Sequence, residues 1–371
     1  MDSGGKPAPE RDIHLIALCL SPHVGPVTIR RLLRAFGSAR EVFRARQPDL
    51  FGVAGISQKR SEWITGFRDW DGLMKTVDRA EAEGMRLVFH GDAEYPVAIE
   101  ELGEDAPLLL FVKGSIVEED RFSVAIVGSR KSSDYGEAVT SKISARLAGV
   151  GMTVVSGMAR GIDTAAHRGA LKAGGRTIAV LGCGLDVVYP PENRGLMDRI
   201  ASSGAVISEF APGTQPLKEN FPRRNRLISG LSQGVIVVEA APRSGSLITA
   251  KHALEQGKEV FAVPGSIMSE TSQGTNDLLK QGARLVTSAE DVIEELAPVL
   301  KGFIKSRVGA PDPELTGQEK SLCGLLSGEP VHVDEISRQS GRQVAEVLAT
   351  LLGLELKGVI RQMEGKRFYL A

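Results

Sequence analysis

From Leu87 to Leu296, short β-branched runs alternate with amphipathic helical stretches, and few folds accommodate that rhythm. The runs Ser123–Val127, Thr153–Ser156, Thr177–Leu181, Ala205–Ser208, Gly234–Glu239 and Glu259–Val263 read as strands. Gly136–Leu147, Ile162–Ala173 and Ser246–Gln256 read as the helices between them. Strands that are apolar almost without interruption are buried on both faces. The expected fold is therefore a Rossmann-like α/β domain, a parallel sheet with helices on both faces. Leu108–Val112 is expected to add an edge strand.

The flanks have other patterns. Residues 1–10, rich in Gly, Pro and charge, read as a loose tail. From Ile13 to about Phe67 the pattern is helical, with Leu15, Leu18, Val27, Ile29, Leu32, Leu33 and Phe36 as its apolar positions. Two Gly-containing turns, Val24-Gly25-Pro26 and Val53-Ala54-Gly55-Ile56-Ser57, each precede a basic helical stretch. That layout is similar to a helix-hairpin-helix or SAM-like module, serving either as a helical packing domain or as a phosphate contact. Residues 301–313 mix charge, Gly and Pro and read as a linker. Beyond it, Gly317–Leu326, Val333–Ser340 and Arg342–Lys357 are helix candidates, and Val359–Gln362 and Lys366–Leu370 straddle a Glu364-Gly365 turn. Three helices and a hairpin make a winged-helix outline. The expected domains are 1–80, 81–300 and 314–371, with the linker before the last.

Composition narrows the function. With 42% hydrophobic and 25% charged residues the chain can build ordinary cores. A net charge of −1 means that any nucleic-acid site must come from local clustering of Lys and Arg. Cys19, Cys183 and Cys323 are scattered without a CxxC pair, which argues against a zinc site or disulfide framework and fits a reducing cytoplasm. No signal-like segment opens the chain, and no apolar stretch approaches the ~20 residues of a membrane span.

The chemistry-bearing residues gather at strand ends. Gly128-Ser129-Arg130 follows a strand and precedes a helix, where exposed N–H groups favour an anion and Arg130 can clamp a phosphate. A dinucleotide GxGxxG is absent, so no cofactor is expected. The next strand runs into Ser156-Gly157, then Arg160-Gly161-Ile162-Asp163 and His167. Asp163 can cap the following helix, and His167 reads as a packed helix residue in preference to a catalytic one. The densest feature is Lys218 to Gly230, with Phe221, Pro222, Arg223, Arg224, Asn225 and Arg226 at its centre. Four of its residues are cationic and one anionic, in a chain only 5% aromatic. Cations that track phosphates around a ring that stacks on a base are what sequence-tolerant single-strand binding needs. The alternative is a core Phe221 beside arginines in ion pairs. Ser244-Gly245-Ser246, with Arg243 before it and Lys251 after, forms another Gly/Ser loop feeding a helix. These junctions should share one edge of one sheet.

Taken together, Gly128-Ser129-Arg130, the block Ser156 to His167, Tyr189-Pro190-Pro191-Glu192-Asn193, Phe221 to Arg226, Glu239-Ala240 with Ser244-Gly245-Ser246, and Val263-Pro264-Gly265 resemble the bacterial DprA/Smf family. The resemblance implies a non-enzymatic protein that binds and protects incoming single-stranded DNA in natural transformation, helps load RecA and dimerises through its Rossmann-like domain. It carries the family's DNA pocket onto Arg130, Lys218, Phe221, Asn225, Arg226 and Lys251. Lys218 and Arg226 would hold phosphates and Phe221 a base. Arg223 and Arg224 join them on charge alone. The winged helix, with Glu329, Asp334 and Glu335 in its first half, fits a protein contact as well as a DNA reader.

Two other functional classes make different demands on the sequence. A nucleoside-phosphate hydrolase of the lysine-decarboxylase-like group would carry a PGGxGT loop and a nearby Glu. Here the loop reads Pro242-Arg243-Ser244-Gly245-Ser246, and Glu239 is the carboxylate to test. A winged-helix transcription regulator would need a basic recognition helix, and Arg342–Lys357 holds few cations.

Overall fold

In the computed structural model, residues 12–298, 316–326, 330–356, 359–363 and 365–370 are described. The expected tail (1–10) and linker (301–313) lie outside them. The chain divides into two units between residues 303 and 304.

The first unit is built on a nine-stranded sheet among the described residues. Its strands are β1 (Arg86–Phe89), β2 (Leu109–Gly114), β3 (Ser123–Val127), β4 (Thr153–Ser156), β5 (Thr177–Val180), β6 (Ala205–Ser208), β7 (Gly234–Val237), β8 (Glu259–Ala262) and β9 (Arg284–Leu285). The order is β1-β2-β6-β5-β4-β3-β7-β8-β9. From β6 to β9 every pairing is parallel. Strands β3 to β7 are buried along their whole length, as apolar strands between two helical layers must be.

Helices Asp134–Gly149, Ile162–Lys172 and Arg194–Ser203 cover one face, and Asn220–Leu231 and Gly245–Glu255 the other. This division follows from handedness. The chain steps from β3 outward to β6, then returns through Asn220–Leu231 to β7 on the far side of β3, and right-handed crossovers put the two sets on opposite faces. The order thus reverses between β3 and β7, and their carboxyl ends diverge around a crevice.

One strand expectation needs correction. Leu109–Gly114 is not an edge strand, because it lies antiparallel between β1 and β6, with Phe111 opposite Ser208 and Val112 opposite Ile207. The burial of Leu109 to Val112 fits a strand with partners on both sides.

The N-terminal helices are Ile13–Cys19, Pro26–Phe36, Ala39–Arg44, Gln47–Phe51, Gln58–Gly66 and Trp70–Ala82, so the helical pattern continues past Phe67. Pro26 opens the second after Gly25, and the Ser57 hydroxyl caps the fifth. Leu18, Val24, Ile29, Leu32, Val42, Leu50 and Ile64 form their core. A second cluster joins Ile16, Leu73 and Val77 to Phe111, Leu181 and Val206 of the α/β layer. Arg60 bridges the two Gly turns, donating to the carbonyls of His23 (2.8 Å) and Gly55.

The second unit is a winged helix. Helices Gly317–Cys323, Val333–Ser340 and Val344–Leu356 pack with strands Ile360–Met363, Arg367–Leu370 and Val331–His332, the middle of the sheet being Arg367–Leu370. Leu322, Val333, Ile336, Val347, Leu351 and Phe368 are its buried centre. Among the described residues, no helix is long and apolar enough to cross a membrane.

Candidate nucleic-acid interface

The crevice between β3 and β7 widens into a cleft of about 1260 Å³. That is more than the roughly 300–1,000 Å³ of a small-molecule pocket. Its walls are the segments that follow β3, β4, β5, β6, β7 and β8.

The loop after β3 is shaped by contacts at its back. A Cβ on Gly128 would fall 2.7 Å from Ile162 Cγ1, so only glycine fits there. The Ser129 carbonyl accepts from the amide of Ile162 (3.2 Å), and its hydroxyl accepts from that of Lys131 (3.1 Å). Arg130 and Lys131 are left exposed on the cleft wall. The following helix begins only at Asp134, capped by Ser133. The amide and hydroxyl of Ser133 both donate to Glu239, at 2.9 and 2.6 Å. The helix terminus that the sequence reading reserves for a bound anion therefore holds the chain's own carboxylate, because β7 ends beside β3.

The basic segment occupies the first two turns of helix Asn220–Leu231, and the helical period sorts its cations. Arg223 and Arg226 both reach Glu209 Oε2, at 3.1 and 2.7 Å. Arg223 also lies over the Phe210 ring, 5.2 Å from its centroid. Neither lines the cleft. Arg224, 4% exposed, forms part of the floor. It donates to the carbonyls of Gly157 (2.9 Å) and Val180 and to Asn225 Oδ1 (3.2 Å). Burial pulls its pKa down to about 10, against the opposing pull of Asp163, so it stays charged at neutral pH. Asp163 is raised by its own burial. It does not cap its helix but accepts the amides of Gly157 (3.1 Å) and Ala159 (3.3 Å).

Phe221 is half-buried at the cleft, so it is not the core ring of the alternative reading. The Arg130 guanidinium lies 4.8 Å from its ring centroid, Arg224 5.8 Å and the Tyr189 ring 5.7 Å. Gly182 packs so close that a Cβ would come 3.0 Å from Phe221 Cδ1. The ring is thus fixed in place yet open to the cleft. Lys218 is exposed on the turn before the helix. Asn225 ties the helix to the opposite wall through the Gly245 carbonyl (3.2 Å). There Ser244 caps helix Gly245–Glu255, and Gly245 faces open space.

The cleft thus gathers Gly128, Ser129, Arg130, Lys218, Phe221, Arg224, Asn225, Ser244 and Gly245 from three segments, those that follow β3, β6 and β7. It does not gather Ser156, Gly157, Arg223, Arg226 or Lys251. Ser156 is fully buried with its hydroxyl on the Ile126 carbonyl (2.6 Å), and a Cβ on Gly157 would fall 2.6 Å from Arg224 Nη2. Lys251 projects into solvent along its helix, 3.7 Å from Glu255. Sequence reasoning missed Lys131 and Tyr189. Lys131 was legible as the cation next to Arg130, and Tyr189 stood in the Tyr189–Asn193 block of the family resemblance, but only folding sets its ring beside Phe221. His167 is fully buried with Nδ1 2.7 Å from Thr177 Oγ1, and burial drives its pKa down to about 3, so it is a neutral packed residue.

Three family models match successive parts of the chain. Residues 86–297 match the model of DNA recombination-mediator protein A, 308–366 that of the DprA winged helix domain and 9–62 that of a DprA-like N-terminal HHH domain. The chain is 34% identical to Protein Smf of Synechocystis over 93% of its own length and 95% of that protein's. It is similar to the X-ray structure of DNA processing protein A from Streptococcus pneumoniae, with a TM-score of 0.65 and 39% identity over 76% of this chain and 96% of that one. It is also similar to DNA processing protein A from Helicobacter pylori, a structure described for its single-stranded DNA binding mode. That match has a TM-score of 0.52 and 32% identity, over 58% of this chain and 96% of the other.

Proposed function

Because this chain belongs to the DNA recombination-mediator protein A family, we propose that its cleft binds single-stranded DNA. Exposed Arg130, Lys131, Lys218 and Arg243 meet phosphates, and Phe221 receives a base. One observation carries this reading. A cation and an aromatic ring from distant parts of the chain meet at 4.8 Å on an open cleft too large for a small ligand. Stacking on a ring needs no particular base, so recognition is sequence-tolerant. The Helicobacter pylori relative, which binds single-stranded DNA, supports it. The family resemblance extends the role to protecting incoming DNA and handing it to RecA as a dimer, a task for the cytoplasm.

The hydrolase reading gains nothing from the geometry. Glu239, the carboxylate it would need, is buried and already accepts from Ser133 and Thr271.

Fluorescence anisotropy with labelled oligothymidylate tests the proposal. Phe221→Ala should weaken binding by roughly 1–3 kcal/mol. Single strands should be preferred over a duplex of the same length. A folded Phe221→Ala protein with unchanged affinity would sink the stacking role.

A further inference from the structure

Two helix N-termini flank the crevice, one after β3 and one after β7, and their electrostatics are opposite. Helix Gly245–Glu255 has no acidic residue in its first turn, and exposed Arg243 precedes it. Helix Asp134–Gly149 carries Asp134 and Glu137 in its first turn. Behind them lies the Glu239 carboxylate, 3% exposed, accepting from the Ser133 amide (2.9 Å), the Ser133 hydroxyl (2.6 Å) and the Thr271 hydroxyl (3.3 Å). A Cβ on Gly136 would fall 2.5 Å from Glu239 Cδ, so the carboxylate rests directly on the helix's first turn.

In doubly wound sheets the N-terminus of the first crossover helix is where the phosphates of a free nucleotide sit, held by backbone amides and the positive helix end. The strand order puts helix Asp134–Gly149 in that position, since it follows β3 at the reversal. The occupant is a side chain from the neighbouring strand end.

We propose that Glu239 is a specificity-determining residue, a built-in anion that bars the phosphates of free nucleotides from this helix terminus and reserves the cleft for a polynucleotide. The proposal rests on the reading of the cleft as a single-strand site. A phosphate arriving here would meet a like charge in a poorly solvated position, where repulsion is little screened. The carboxylate has no room to retreat, being backed by Gly136 and tied by Ser133 and Thr271. A nucleic-acid strand avoids this penalty because its phosphates engage cations on the surrounding loops. A mononucleotide has no such second anchorage.

The test uses inorganic pyrophosphate and a nucleoside diphosphate on the full-length protein at constant ionic strength. Thermal melting and displacement of labelled oligothymidylate are read for the wild type, Glu239→Gln and Glu239→Ser. Glutamine keeps the side-chain length and an acceptor for Ser133, and serine opens more space should glutamine still block. The wild type should gain no more stability from pyrophosphate than from sulfate, and lose no more DNA than sulfate displaces. The variants should melt several degrees higher with pyrophosphate and release DNA at an order of magnitude less of it. Cooperatively folded variants that respond to pyrophosphate as the wild type does overturn the proposal, as does a wild type that pyrophosphate stabilises well beyond sulfate. Melting needs no DNA, so it decides the role of Glu239 separately. A wild type that fails to bind oligothymidylate overturns the single-strand reading instead.

Discussion

At the scale of single residues, charge alone does not mark a DNA contact. Arg130 and Arg224 both lie within 6 Å of the Phe221 ring, at 4.8 and 5.8 Å, yet one is exposed and the other buried. Arg224→Met would leave the carbonyls of Gly157 and Val180 without their donor and Asp163 without its neighbouring cation. Breaking such a buried charge arrangement should cost about 3–5 kcal/mol of stability. Arg130→Ala removes no buried partner and should stay within about 0.5 kcal/mol of the wild type. Its loss should appear in DNA affinity. Urea unfolding beside anisotropy separates the two, and equal stability losses would contradict the assignment.

At the scale of elements, the site depends on how helices seat against the sheet. Helix Asn220–Leu231 carries Phe221 to the cleft while Arg223 and Arg226 pull its other side onto Glu209. Helix Ile162–Lys172 is seated on β5 through His167 and Thr177. The folded His167 has a pKa near 3, below its ordinary 6.5. The unfolded chain therefore takes up a proton between those values that the folded chain refuses. This contribution to stability is complete above pH 6.5 and is lost as pH falls toward about 3. Between pH 7 and pH 4, the wild type should lose more of its urea midpoint than His167→Gln, whose side chain does not titrate. Parallel losses would show that His167 does not carry the linkage.

At the scale of the whole molecule, a net charge of −1 leaves long-range attraction weak, so affinity must come from the local cleft. With about four phosphate contacts, log K should fall against log salt with a slope near −3. Affinity flat in salt would exclude a cleft bound through phosphates. The α/β fold was legible in the sequence because strand burial and helix amphipathicity are periodic and local. The Gly and Ser loops at strand ends were legible for the same reason, as was the cluster around Phe221. Local pattern could not decide which cations face the cleft. Arg223, Arg224 and Arg226 look alike in sequence, and only the partners met after folding, Glu209 for two of them and the Gly157 and Val180 carbonyls for the third, decide where each one lies. The same holds for Glu239 beneath Ser133 and for Tyr189 beside Phe221. These contacts join residues from separate strand ends, and it is the reversal of strand order between β3 and β7 that brings them together.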